Sequence, residues 1–149
     1  MQYGSWFWMI AVVLGVASDV TAQPLSFLTE QQKLASYCAG VSESRLRELG
    51  DFIKTDCANS KRRECVKAGD DLVKAQTMDR RLWAYLNDLY TSKDVGTRQK
   101  TLSQQSMAKG SEDWIACKRR PAGQAADDLP ACRESLGCLI DVRFSFLPP

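Results

Sequence analysis

The sequence predicts an all-α protein, a small helical bundle that is cross-linked by disulfides. Apolar residues recur at intervals of three and four along most of the chain, which is the period of an amphipathic helix. The alternation of apolar and polar residues that is typical of a β-strand is almost absent. The chain of 149 residues also has six cysteines and no histidine, a composition that favours cross-links over metal sites.

The first residues have the features of a secretory signal peptide. Trp6–Ala17 is almost wholly apolar but shorter than the roughly 20 residues that cross a bilayer, and the compact Val20 and Ala22 stand where a cleavage site needs them. No basic residue precedes the apolar run, so retention as an anchor is the alternative. We predict a cleaved signal over residues 1–22, a single helical domain over 23–149, and a periplasmic or secreted protein with no stable membrane span.

The first helix is predicted to begin at a capping box. Thr29 and Gln32 have the spacing in which each side chain bonds the backbone N–H of the other residue. Gly40 is a candidate end or bend, and a second helical stretch covers Leu46 to Ile53 before a turn at Asp56–Ser60. The apolar face of the first stretch consists of Leu34, Cys38 and Val41.

The clearest helical pattern spans Lys61–Tyr90. Asp79 is the only charged residue on its apolar seam, and we expect it to be a satisfied polar residue bonded to a nearby arginine rather than a functional acid. Gly69 and the two aspartates after it are a candidate break in the helix. The seam consists of Cys65, Ala68, Leu72, Ala75, Asp79, Leu82, Leu86 and Leu89.

Two further helices are expected in the last third of the chain. Thr97–Lys118 is more polar and is predicted to pack by a narrow apolar face. A loop bounded by Pro121 and Pro130 follows it. The last helix is predicted from about Ala131 to Arg143.

All six cysteines lie beyond the predicted signal, and an exported protein with an even number of cysteines is expected to oxidise them in pairs. A zinc site is disfavoured, because there is no histidine and no Cys-x-x-Cys pair. A cysteine nucleophile would lack an imidazole base. We predict three disulfides, no metal and no cofactor, with the pairing left open at this point. The cysteines are Cys38, Cys57, Cys65, Cys117, Cys132 and Cys138.

The sequence has none of the common catalytic motifs. It has no nucleotide-binding glycine loop and no His-Glu-x-x-His zinc motif. Adjacent acids such as Asp70 and Asp71 point apart on a helix and do not form a catalytic pair. The net charge of +2 is too small to predict nucleic-acid binding. We predict a non-enzymatic binding or inhibitor module, with a small cell-envelope hydrolase that uses carboxylates only as the alternative.

Four residues are candidates for contact with a partner, which is expected to be an envelope protein or glycan. Trp83 and Tyr90 are seven positions apart and share a stripe beside the leucine seam. They form either an exposed aromatic anchor or part of the core. Asp127 and Asp128 lie in the loop before the last helix.

Several short runs of the chain carry a family resemblance. They are CVKAGDDLVKAQTMDRRLWAYLNDLY, Gln104-Gln105, Trp114 with CKRR close behind it, and CLIDVR. Together they resemble the secreted bacterial lysozyme-inhibitor-like family of small disulfide-bonded helical domains, over residues 57–147. The resemblance implies a cysteine pair before an Asp-x-x-Leu helix, and a later Trp–Arg–Cys segment that is tied to a Cys-Leu. The matching positions are Cys57, Cys65, Asp79, Leu82, Trp114, Cys117 and Cys138.

The resemblance implies a bond between Cys117 and Cys138, and it makes a lysozyme one candidate partner. An inhibitor of a basic lysozyme is expected to present acids, and Asp127 and Asp128 would lie at the tip of the loop that this bond closes. The basic run Lys118–Arg120 at the base of the loop opposes such an interaction. We predict the pairing Cys57–Cys65, Cys117–Cys138 and Cys38–Cys132.

Overall fold

The computed structural model describes residues 27–58 and 60–149. Those residues form four helices and no strand, so the predicted all-α class is confirmed. The predicted signal peptide lies outside the described residues. The helices are α1 (Glu30–Asp56), α2 (Arg63–Thr91), α3 (Thr97–Lys118) and α4 (Pro130–Gly137), with short 3-10 turns at Ala126–Asp128 and Asp141–Phe144.

Helix α1 begins at the predicted capping box. The Thr29 hydroxyl accepts from the Gln32 backbone N–H at 3.1 Å, and the Gln32 side chain accepts from the Thr29 N–H at 3.0 Å. The helix then continues without a break through Gly40 to Asp56, so the two predicted stretches are one helix. Gly40 has a packing role instead of ending the helix.

Helix α2 is also continuous, and the candidate break at Gly69 does not occur. The buried seam of α2 extends on both sides of that glycine, from Cys65 to Leu89, and holds the helix against α1. The last helix ends at Gly137, six residues before the predicted end at Arg143. The Arg143 guanidinium, which was expected in the last turn of this helix, instead folds back against Gly137, in the space that a Cβ would need.

Helix α1 lies between α2 and α3. It runs parallel to α3, since Ser36 faces Ser103 and Ser44 faces Ser111. It runs antiparallel to α2, since the start of α1 meets Tyr85 near the end of α2 and the Cys57–Cys65 bond joins the end of α1 to the start of α2. Helices α2 and α3 barely touch each other. Helix α4 packs on α3, and the segment after it returns to the core, where Phe144 is 1% exposed.

The contact between α1 and α3 is unusually close. A Cβ at Gly40 would overlap the backbone carbonyl of Met107, and a Cβ at Gly110 would overlap the carbonyl of Tyr37. Each backbone therefore fits against a glycine of the other helix. Serine pairs lie in the same interface, with oxygen separations of 2.7 Å for Ser36 with Ser103 and 2.6 Å for Ser44 with Ser111.

A chain of hydroxyl groups joins all three long helices. Tyr90 on α2 donates to Ser103 Oγ at 2.7 Å, and Ser36 Oγ donates to the Gln32 carbonyl at 2.7 Å. Each hydroxyl has one proton, so Ser103 must donate to Ser36 between them. Each of these hydroxyl protons has an acceptor, so burying the hydroxyl groups costs little stability.

The structure confirms three disulfides and corrects two of the predicted pairings. Cys57–Cys65 is as predicted, whereas Cys117 pairs with Cys132 and Cys38 with Cys138. Cys117 is in the last turn of α3, and the loop after it returns the start of α4 to that turn. Cys138 lies six residues after Cys132, a distance of about 9 Å along a helix. With Cys132 next to Cys117, that distance leaves Cys138 too far away to form a disulfide with Cys117.

Asp79 is half-buried and makes no ion pair within the described residues, so the expected bond to an arginine is wrong. Burial raises the pKa of this carboxyl above its ordinary value, and the nearby Ser42 hydroxyl offsets part of that shift. The Ser42 Oγ makes no hydrogen bond of ordinary geometry, however. Asp79 thus faces a neighbouring hydroxyl instead of a guanidinium.

We expect Gly110→Ala to destabilise the fold by roughly 3 kcal/mol, because the added methyl group would overlap the Tyr37 carbonyl and force α1 and α3 apart. Urea denaturation of the oxidised protein measures the loss.

Gly69→Ala is the matched control, since no atom lies within 4 Å of a Cβ at that position. It removes a flexible residue from a helix and should stabilise the protein by up to about 1 kcal/mol. Equal unfolding free energies for the two variants would show that the helices are not in close contact at Gly110.

Candidate functional site

A groove of about 800 Å³ lies between the first half of α1, the middle of α3, and α4 with the segment after it. We call it the α1/α3/α4 groove. It begins where Phe27 and Leu28 enter α1. Its lining consists of Phe27, Leu28, Glu30, Lys33, Leu34, Tyr37, Leu102, Gln105, Ser106, Lys109, Arg133, Glu134 and Arg143.

The groove combines apolar side chains with an excess of cations. Leu34 and Leu102 come from opposite helices, and Phe27 at the mouth is 65% exposed. Four basic side chains line the groove against two carboxylates, Glu30 and Glu134. Three of the four, Lys33, Arg133 and Arg143, make no ion pair within the described residues. These cations are free to meet an anionic ligand.

The fourth cation belongs to a polar network in the wall of the groove. Asp113 is only 5% exposed and accepts a hydrogen bond from the Tyr37 hydroxyl at 2.9 Å through Oδ2. Its Oδ1 is ion-paired with Lys109, one helical turn earlier on α3. Burial, and then the bond to Asp113, raise the pKa of the Tyr37 phenol well above its ordinary range. Asp113 likewise raises the pKa of Lys109.

This network makes the groove wall rigid. Tyr37 follows Ser36 in the α1–α3 interface, and its carbonyl lies against Gly110. The side chain therefore extends from a backbone position that close packing holds in place. At the mouth, the Gln99 amide donates to the Phe27 carbonyl at 3.3 Å and holds the entry of the chain.

The two aromatic residues proposed as a partner anchor do lie together, outside the groove. Their ring centroids are 6.0 Å apart. Trp83 is 42% exposed, but Tyr90 is committed to the buried hydroxyl chain. The exposed part of this pair is therefore one indole ring, not a patch of two aromatics.

The two acids of the loop are exposed, as an anionic contact requires. Asp127 and Asp128 form a 3-10 turn within the loop that Cys117–Cys132 closes. This loop is shorter than the one predicted from a Cys117–Cys138 bond. Neither acid is part of the lining of the groove.

Few carboxylates of the described residues lie in or beside the groove. Among the described residues, no three acids and cysteines lie together in a way that could hold a metal ion. Asp113, which does not line the groove itself but bonds Tyr37 and Lys109 of its lining, is bonded on both oxygens and is too buried to reach a substrate. Only Glu30 and Glu134 offer exposed carboxylates to the groove.

The groove residues were not identified from the sequence. The unpaired cations Lys33, Arg133 and Arg143 come from α1, α4 and the last 3-10 turn, so no local spacing connects them. The one visible signal was Lys109 with Asp113, an i,i+4 pair of opposite charge.

No protein-family model, curated protein or solved structure matches this chain. The resemblance to the lysozyme-inhibitor-like family therefore stays a prediction.

We expect Tyr37→Phe to destabilise the protein by roughly 1.5–3 kcal/mol at neutral pH, the range for a lost hydrogen bond to a charged group. The pKa of Tyr37 is raised in the fold, so the unfolded chain loses the phenol proton first, above pH of about 10. The contribution of Tyr37 is therefore complete below that pH and falls as the pH rises. Denaturation at neutral and at strongly alkaline pH measures the free energy of unfolding. The difference in this free energy between wild type and variant should be smaller at alkaline pH.

Tyr85→Phe is the control, because its hydroxyl makes only an exposed 3.4 Å contact with Gln31. If the free energies of unfolding of wild type and Tyr37→Phe differed by the same amount across the alkaline range, the coupling of Tyr37 to Asp113 would be refuted.

Proposed function

We propose that this protein is an exported, non-enzymatic binding module that holds an acidic, partly apolar segment of an envelope protein in the α1/α3/α4 groove. The observation that carries the proposal is the set of unpaired cations, Lys33, Arg133 and Arg143, around a floor that includes Leu34 and Leu102. Apolar side chains of a ligand would contact the floor, and its carboxylates would bind the cations.

The size of the groove supports a ligand of this kind. Its volume of about 800 Å³ is in the upper part of the range that holds small ligands, and is also sufficient for several residues of a peptide. Charge complementarity favours an acidic segment over a basic one, because the cations outnumber the carboxylates in the lining. A glycan would find few aromatic faces there.

The disulfides support binding without a large ordering cost. Cys38–Cys138 joins α1 to the end of α4, and Cys117–Cys132 joins α3 to its start. These two bonds connect all three walls of the groove. A groove that is already ordered loses little conformational entropy when a ligand enters.

The same disulfides support export, since cross-links persist in oxidising compartments such as the periplasm or the cell exterior. No helix in residues 27–58 and 60–149 carries an apolar stretch long enough to cross a membrane. A periplasmic or secreted location is part of the proposal.

A lysozyme is a candidate partner only through a different surface. The cationic groove would repel a basic enzyme, whereas the cross-linked loop presents exposed Asp127 and Asp128. Lys118–Arg120 at the base of that loop weakens its acidic field. A carboxylate-only hydrolase would depend on Glu30 and Glu134, and removal of either would abolish it.

We expect Lys33→Glu/Arg133→Glu to lose binding of a fluorescent peptide that alternates glutamate with leucine. The variant reverses two charges in the groove and changes no residue of the core. Each lost charge-assisted bond should weaken binding about tenfold or more. Fluorescence anisotropy measures the affinity.

Lys93→Glu/Arg98→Glu is the matched control, because it makes the same charge change at exposed positions outside the groove. A peptide that alternates lysine with leucine tests the sign of the charge preference. Equal losses in both variants, or equal binding of both peptides, would refute the groove as the site. If the groove variant and the wild type slowed a lysozyme equally, the surface that binds the lysozyme would be the loop that holds Asp127 and Asp128.

A further inference from the structure

A second pocket lies on the α2 side of α1, separate from the groove in every lining residue. Its volume is about 310 Å³. We call it the α1/α2 pocket. It is lined by Cys38, Val41, Ser42, Arg45, Val73, Lys74, Thr77, Met78, Arg81, Cys138, Leu139 and Asp141.

The charged lining of this pocket is mainly cationic. Arg45, Lys74 and Arg81 face a single carboxylate, Asp141, and none of the three makes an ion pair within the described residues. Arg81 uses Nε to donate to the Pro148 carbonyl at 2.8 Å. That bond orients the guanidinium and leaves its two terminal nitrogens for another acceptor.

An unpartnered hydroxyl lies in the same pocket. Ser42 is 7% exposed, and its Oγ has no hydrogen-bond partner. A buried hydroxyl without a partner costs stability, so such groups are rare in folded proteins. The half-buried Asp79 lies close enough for this hydroxyl to lower the pKa of its carboxyl, although the pair is outside ordinary hydrogen-bond geometry. An acceptor in the pocket would satisfy the Ser42 proton.

We propose that the α1/α2 pocket binds a phosphate monoester through Arg45, Lys74, Arg81 and the Ser42 hydroxyl. Three cations against Asp141 leave an excess of two positive charges in the lining itself, while Asp71 and Asp79 lie close by without lining the pocket. A phosphate monoester carries about −1.5 to −2 at neutral pH and matches that excess better than a single carboxylate does. A guanidinium group can bind two phosphate oxygens at once, and the pocket has one such group from each helix, Arg45 from α1 and Arg81 from α2.

The organic part of the ligand would contact the apolar lining, which includes Val41, Met78 and Leu139. A pocket of about 310 Å³ has room for a phosphate and a small body attached to it. The body can be a free metabolite or the exposed part of a lipid headgroup. Both carry the same phosphate chemistry.

The test uses the oxidised full-length protein, with inorganic phosphate, glycerol 3-phosphate and vesicles that contain phosphatidic acid as probes. Calorimetric titration at constant ionic strength, with chloride as the reference anion, measures binding of the soluble probes. Sedimentation with vesicles measures binding to the lipid. The variants are Arg45→Gln, Lys74→Gln and Ser42→Ala, and the control is Arg47→Gln, which makes the same charge change on an exposed part of α1.

We expect Arg45→Gln and Lys74→Gln each to weaken phosphate binding about tenfold or more, while Arg47→Gln leaves it unchanged. Ser42→Ala should weaken binding too, but its unfolding midpoint without phosphate should be equal to or above that of the wild type, since the variant removes an unpartnered group. A loss of stability in Ser42→Ala would mean that the hydroxyl is already bonded, and would overturn its role as a donor.

The probes distinguish the two sources of the phosphate. Binding of glycerol 3-phosphate alone indicates a soluble ligand, and sedimentation that Arg45→Gln abolishes indicates a lipid headgroup. No binding of any probe, or binding that Arg47→Gln reduces as much as Arg45→Gln does, overturns the proposal. Because the two cavities share no lining residue, peptide binding in the groove is unaffected by either result.

Discussion

The structure depends on the close approach of α1 and α3 at Gly40 and Gly110. Each glycine meets a backbone carbonyl of the other helix, so no larger residue fits at either point without separating the helices. Parallel helices that pack this closely bring Ser36 to Ser103 and Ser44 to Ser111. The same approach holds the Tyr37 backbone against α3, and so sets the wall of the groove.

The cross-links extend this arrangement to parts of the chain that could not hold their position alone. Helix α4 has only eight residues, too few for an isolated helix to be stable in water. Two disulfides fix it, Cys117–Cys132 at its start and Cys38–Cys138 just after its end. Residues of α4 line the groove, and residues of the segment after α4 line both cavities, which makes oxidation a condition for either proposed site. The bond that closes 100 residues, Cys38–Cys138, also restricts the unfolded chain most.

Local patterns were sufficient to predict the fold class, the capping box at Thr29 and the buried seam of α2. They failed where tertiary contacts decide the outcome. Gly40 has the sequence signature of a helix break. It is instead a contact point, where the absence of a side chain lets the backbone of α3 approach α1. The pairing of Cys117 depends on how far the following loop turns back, which no spacing reveals. The unpaired groove cations come from three separate elements, and Tyr90 is held in place by a serine on α3 that accepts its proton.

The most direct test of the binding account is to locate an acidic, apolar peptide on the protein by methyl NMR. Leucine methyl groups report on both the groove and the remainder of the surface. We expect the signals of Leu34 and Leu102 to shift as the peptide is added, while that of Leu72 on α2 stays in place. Shifts confined to Leu129, beside the two acids of the cross-linked loop, would contradict the account and assign binding to that loop.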